Sequence, residues 1–187
     1  MNTELPTRRS VIARLAAAAV AAPLAPAGGA LASEGGARAD AWKAVQLVGV
    51  DGRATTLGQV AAPLVAVHVW ASWCPACLGE LASLQGLADR LGPGGLAVLL
   101  VSHPRNWDRD AAFLRRAPLR LPAYTLGADV PWALREAVFD MAGGTYAVPR
   151  TLVFAGREQR CVLAKDGPGN WQSPEIAARL RPWLRPA

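Results

Sequence analysis

Leu64-Val65-Ala66-Val67-His68-Val69-Trp70-Ala71-Ser72-Trp73-Cys74-Pro75-Ala76-Cys77 is the stretch whose reading decides the fold. Its first seven residues form a short apolar run rich in β-branched side chains, the pattern of a strand buried on both faces. The run leads directly into Cys74. From Pro75 to about Leu91, apolar residues fall at Leu78, Leu81, Leu84, Leu87 and Leu91, a helical spacing that Gly92-Pro93-Gly94-Gly95 terminates. Leu96 to Val101 reads as a second buried strand. Strand, helix and strand in this order make a βαβ unit with two parallel strands.

The expected organisation extends on both sides of this unit. Val45, Leu47 and Leu57 flank Asp51-Gly52, a turn signal that predicts an N-terminal β-hairpin. Downstream, a helix is expected from about Asp108 to Arg116, an extended piece at Pro122 to Leu126, and a helix from Trp132 to Phe139 that begins at Pro131. Val148-Pro149 opens a strand over Thr151 to Ala155, which turns at Gly156 to Glu158 and returns antiparallel as Arg160 to Ala164. Ser173-Pro174-Glu175 starts a last helix, with serine as cap, proline at the first helical position and glutamate favoured by the dipole; it runs to about Leu180. The fold class is α/β: a central mixed β-sheet flanked by helices, preceded by the hairpin.

Residues 1–32 read as an export signal, with Thr7-Arg8-Arg9-Ser10, an apolar stretch from Leu15 to Ala25, and Ala30-Leu31-Ala32 as the cleavage site. Pro23 and Pro26 break the stretch, which is too short to span a membrane. The arginine pair is twin-arginine-like, although Val11 stands where a phenylalanine is usual, so the ordinary secretory route stays open. Ser33 after the cleavage site is not the cysteine a lipoprotein needs. Residues 33–41, rich in Gly and Ala, are expected as a flexible leader, and 42–187 as one domain. The expected location is the periplasm, an oxidising compartment in which a thiol pair has redox meaning.

The 187 residues, 52% of them hydrophobic and 18% charged, suffice for one domain with a real core and exclude a disordered chain. The net charge of +6 does not mark a nucleic-acid binder: all but two of the 20 cations are arginine, scattered from Arg8 to Arg185 without a basic run. No nucleic-acid partner is expected. Only three cysteines are present, so a disulfide-stapled mini-protein is excluded.

Two of them, Cys74 and Cys77, lie at the strand-to-helix junction. At a helix N-terminus, unpaired backbone N–H groups and the dipole stabilise a thiolate; thiols so placed can have pKa values of roughly 3.5 to 7.5 instead of about 8.5, so Cys74 is expected to be a ready nucleophile. Cys77, three positions on, shares its helical face and can close a short disulfide. Pro75 is tolerated in the first turn because its missing N–H would have no partner there. Half of a zinc site is the competing reading, but no second Cys-x-x-Cys exists, and His68, His103 and Cys161 stand at unhelpful spacings.

Val69-Trp70-Ala71-Ser72-Trp73-Cys74-Pro75-Ala76-Cys77, then Glu80, and later Tyr146-Ala147-Val148-Pro149-Arg150-Thr151 resemble the thioredoxin superfamily, specifically its TlpA/ResA-like branch of exported thiol-disulfide oxidoreductases. The resemblance in element order covers Val45 to Leu180. It implies a thioredoxin-like fold and a redox-active Cys74-Cys77 disulfide, with Trp73, Pro75 and Ala76 supporting the site. It also implies a cis peptide at Val148-Pro149 beside that disulfide; the alternative is a proline at a strand entrance. Ala147 departs from the family's usual Gly.

His68 occupies the position where thioredoxins bury an acid that relays a proton to the second cysteine. A neutral imidazole could serve Cys77 in the same way, or it could simply fill space beside the strand. Glu80 matches a glutamate that the branch carries near the disulfide, where it could tune the thiol or the approach of a partner; otherwise it is a solvent-facing helix residue. Leu81-Ala82 replaces the x-Pro that kinks this helix in relatives. Cys161 is expected as a buried free thiol acting as a small hydrophobe, with a regulatory or intermolecular disulfide as its alternative. His103 is expected as a loop residue, Trp73 as part of a docking surface, and Trp42, Trp107, Trp132, Trp171 and Trp183 as core or edge packing.

The resemblance implies a monomeric protein-disulfide reductase, re-reduced by a membrane thiol transporter of the CcdA/DsbD kind. Its clients would be apocytochrome c cysteines or copper-delivery proteins, and no haem, metal or nucleotide cofactor is required. Two other classes compete: a copper or zinc chaperone using the same cysteines as ligands, and a non-catalytic docking module.

Overall fold

The computed structural model describes residues 41–92, 94–103, 106–130, 148–157 and 160–184, all within one compact unit spanning residues 31–187. The export signal, most of the leader, the helix expected over Trp132 to Phe139, Tyr146 and Ala147 lie outside the described residues. Ala41, assigned to the leader, instead begins a 3-10 turn over Ala41–Ala44 that buries Trp42.

Seven strands form one mixed sheet: β1 (Gln46–Gly49), β2 (Ala54–Thr56), β3 (Leu64–Trp70), β4 (Leu96–Ser102), β5 (Ala123–Leu126), β6 (Arg150–Ala155) and β7 (Arg160–Asp166), in the order β2-β1-β5-β4-β3-β6-β7. The central β3 is parallel to β4 and antiparallel to β6, with Leu64 opposite both Leu96 and Ala155. Between β3 and β4 runs α1 (Pro75–Leu91), completing the expected βαβ unit; α2 (Trp107–Leu114) and α3 (Pro174–Leu180) follow. The hairpin forms as expected, β1 pairing antiparallel with β2 and also with β5. Asp51-Gly52 turns it, with Gly52 at φ +76°, where glycine carries no Cβ penalty.

Every residue of β3 is buried, as its unbroken apolar run requires. The strand's alternation divides the core in two. Leu64, Ala66 and Trp70 pack with Leu81, Leu84 and Leu87 of α1 and with Trp171, Ile176 and Leu180. Val65, Val67 and Val69 pack with Leu47, Leu57, Trp42, Leu99 and Phe154. The Trp42 ring stacks on Phe154 at 4.8 Å and Trp70 meets Phe113 at 5.8 Å. His68 shares the face of Ala66 and Trp70, so β3 delivers it beneath α1.

The last helix starts as its sequence predicts: Ser173 Oγ accepts the Ile176 N–H at 3.3 Å, and Pro174 takes the first turn. Helix α1 runs continuously through Leu81-Ala82, and Gly92 ends it at φ +63°.

Candidate active site

The site stands at the N-terminus of α1, where β3 hands the chain to the helix through Ala71-Ser72-Trp73. Cys74 is the N-cap residue; its Sγ accepts the Cys77 N–H at 3.1 Å, the role an oxygen usually plays at this position. Cys74 and Cys77 are joined by a disulfide, with Cα atoms 5.3 Å apart. Cys77 is fully buried and Cys74 is 5% exposed, so the first sulfur is the one an incoming thiolate can reach. Trp73, immediately before it, is 57% exposed, and its ring meets His103 edge-on at 6.2 Å. Pro75 opens the helix, and Ala76 lines a cleft of about 510 Å³ with Gly79, Glu80, Ser83, Pro168, Gly169 and Asn170.

The Val148–Pro149 peptide is cis, and Val148 packs against the core cluster that contains Cys74 and Cys77. From Pro149 the chain enters β6, whose Arg150 ion-pairs with Asp166 at 3.2 Å and whose Thr151 lies opposite His68.

Beneath the helix the structure joins two residues that the sequence offered separately. His68 Nδ1 lies 2.9 Å from Thr151 Oγ1 and 3.3 Å from Glu80 Oε1, while Nε2 has no hydrogen-bond partner. Glu80 Oε2 accepts the Gly169 N–H at 2.6 Å and the Trp171 Nε1–H at 3.3 Å. At 3% exposure Glu80 is not a solvent-facing helix residue; the 168–171 loop folds over it.

The short His68–Glu80 contact has the geometry of an ion pair, but burial works against both charges. Burial lowers His68 to about 3 and raises Glu80 above the ordinary carboxylate range, the latter opposed by the Gly169 and Trp171 hydrogen bonds and by the charge of Lys165. At neutral pH the imidazole is therefore neutral, and Glu80 is harder to ionise than an ordinary carboxylate. The sequence offered the two residues singly and gave no sign that they meet. Thr151, Gly169 and Trp171 as partners carried no signal of their own in the sequence.

Cys161 requires a correction. Its expected burial does not hold: it is exposed on β7, an edge strand of the sheet among the described residues, although partial burial of the thiol still pushes its pKa up. The thiol turns inward to donate to the Leu163 carbonyl at 3.3 Å. Trp171 is core and Trp183 packs against it, with Arg160 over the Trp183 ring at 4.9 Å; Trp132 lies outside the described residues. His103 follows β4 in a loop, as expected.

Comparison with solved structures decides the architecture. The chain has a thioredoxin-like fold. It is similar to the pneumococcal exposed lipoprotein thioredoxin of Streptococcus pneumoniae (TM-score 0.55, 24% identity, 73% of this chain and 97% of that one). It is also similar to StoA of Bacillus subtilis (TM-score 0.53, 19% identity, 78% and 99%) and to a thioredoxin-related protein of Neisseria meningitidis serogroup B (TM-score 0.58, 18% identity, 73% and 97%). No protein-family model matches the chain. An uncharacterised protein of Haemophilus influenzae is 34% identical over 68 residues, 36% of this chain and 44% of that relative, so the match spans less than half of the relative's length.

Within this thioredoxin-like fold the cysteine pair caps the helix that follows the central strand, and the cis-proline leads into the antiparallel neighbour of that strand. Among the described residues, no group of three or more His, Cys, Asp or Glu side chains is placed to hold a metal ion, and no helix is long and apolar enough to cross a membrane.

Proposed function

We propose that this protein is an exported thiol-disulfide oxidoreductase that reduces disulfides in client proteins. The observation that carries the proposal is the Cys74–Cys77 disulfide at the cap of α1, its more accessible sulfur beside an exposed tryptophan and a cis-proline loop. In the reduced protein the helix N-terminus favours the Cys74 thiolate, which attacks one sulfur of a client disulfide. A mixed disulfide forms and the client's other sulfur leaves as a thiolate. Cys77 loses its proton and attacks Cys74 Sγ, releasing the second client thiolate and closing the Cys74–Cys77 bond. Two electrons pass to the client, whose two thiolates take up the two protons.

Glu80 is the proton acceptor this reading assigns to Cys77. It lies one helical turn on, on the same buried face, and its raised pKa places it nearer neutrality than an ordinary carboxylate. His68 holds Glu80 from below as a neutral partner, a role distinct from both expectations for it, a relay to Cys77 and a filler beside the strand. The 1–32 segment as an export signal, twin-arginine-like and cleaved after Ala32, places the monomeric domain in the periplasm. There a CcdA/DsbD-type membrane thiol transporter would re-reduce it, and apocytochrome c or copper-delivery proteins would be its clients.

The test is reduction of insulin by dithiothreitol with catalytic amounts of protein. Wild type accelerates it, Cys74→Ser abolishes the acceleration, and Cys77→Ser accumulates a mixed disulfide through Cys74. Metal retained on purification together with no acceleration would favour a metal chaperone, and partner binding by the double serine variant at wild-type affinity a docking module; either overturns the proposal.

A further inference from the structure

Asp110 is fully buried in the first turn of α2, and no part of the exchange chemistry above uses it. Its carboxylate gathers donors from three separate places. Oδ1 accepts the Ser72 backbone N–H at 2.6 Å and the Asn106 side-chain amide, and Oδ2 accepts the Ser102 hydroxyl. Asn106 Nδ2 also reaches Ser72 Oγ at 3.3 Å. A carboxylate withdrawn from water costs several kcal/mol unless its lone pairs are satisfied, and the Ser72, Asn106 and Ser102 donors satisfy them here.

What these bonds hold is the loop that presents the nucleophile. Ser72 stands two residues before Cys74, whose own N–H closes on Ala71 O at 3.1 Å, and one before Trp73. The other side of the loop is fastened by His103 N–H donating to Trp70 O at 2.8 Å, which brings the His103 ring against Trp73. A 57% exposed indole has little packing to fix it, so its direction depends on the peptide that carries it.

We propose that Asp110 is a positioning residue: through the Ser72 N–H it fixes the Ala71–Ser72 peptide at the root of the loop that carries Trp73, holds the indole of Trp73 against His103, and so determines how an extended client segment docks beside Cys74. The proposal rests on the exchange reading above. It separates from that reading because it concerns client docking and not sulfur chemistry.

A double-mutant cycle tests it. Asp110→Asn keeps the size of the side chain but sets an amide against the Asn106 and Ser102 donors; it is expected to lower kcat/KM for insulin about tenfold, mainly through KM, the equivalent of one charge-assisted hydrogen bond. Reduction of hydroxyethyl disulfide, too small to touch Trp73, should stay within about twofold, and in a Trp73→Ala background the Asp110 change should add almost nothing. Ser102→Ala, which removes one donor from Oδ2 but spares the Ser72 contact, should cost less than Asp110→Asn on insulin and leave hydroxyethyl disulfide within about twofold. Equal losses on both substrates, or additive effects with Trp73→Ala, would overturn the proposal. Wild-type protein inactive towards both disulfides would instead refute the exchange reading. Should the Asp110 variants not fold, amide exchange in wild type decides: a protected Ser72 N–H in both redox states supports the anchor, and one exchanging as freely as an exposed loop amide contradicts it.

Discussion

His68 and Glu80 make the pH response of the protein predictable. For His68 the unfolded state takes up a proton near pH 6.5, whereas the folded state resists until about 3. Between those values the unfolded state binds more protons, so stability is lost as pH falls through this window. Glu80 acts in the opposite direction: its folded pKa is raised, so the folded state keeps a proton that the unfolded state has released, and stability declines as pH rises above 4.5 towards the folded value. Urea unfolding at pH 6 and pH 4 should show wild type losing stability more steeply than His68→Asn, by up to about 1.4 kcal/mol per pH unit. Parallel slopes would mean that the imidazole is solvated or charged in the folded protein. Glu80→Gln should remove the limb of the activity profile that rises as the carboxyl ionises; an unchanged profile would dismiss Glu80 as proton acceptor for Cys77. Iodoacetamide at neutral pH should modify Cys74 of the reduced protein well before Cys161, whose exposure is offset by a raised pKa. Alkylation of Cys161 first would contradict this.

Packing outweighs capping in the elements that hold the site. Leu84 of α1 is fully buried between helix and sheet, and Leu84→Ala should cost about 2 to 5 kcal/mol in urea unfolding. Ser173→Ala, which removes one cap bond from α3, should cost about 1 kcal/mol. A reversed order would place the stability of the site in local helix signals instead of the shared core. The same contrast explains what was legible in the sequence. The buried strand, the leucine spacing of α1, the Asp51-Gly52 hairpin and the Ser173-Pro174 start are local patterns, and each appears within a residue or two of its expected bounds. Glu80 under the 168–171 loop, the carboxylate of Asp110 on Ser72 and the exposed face of Cys161 depend on segments far apart in the chain, and no period or spacing reports them.

Across the whole molecule, the sheet order places the two halves of the site side by side. Parallel pairing with β4 and antiparallel pairing with β6 bring the Trp73–Cys77 junction and the Val148–Pro149 loop to the same end of β3, although more than 70 residues separate them. That convergence, which the resemblance implied, sets the cysteine pair beside the cis-proline loop, and the proposed function reads the pair as a redox site. The most direct test of this claim is equilibration of the protein with glutathione buffers, followed by quantification of the Cys74–Cys77 bond. The expected result is a single two-electron couple confined to these two residues with a potential near that of thioredoxin, about −270 mV; the absence of a reversible couple would contradict the redox reading, and a potential near that of DsbA, about −120 mV, would contradict its reductase direction.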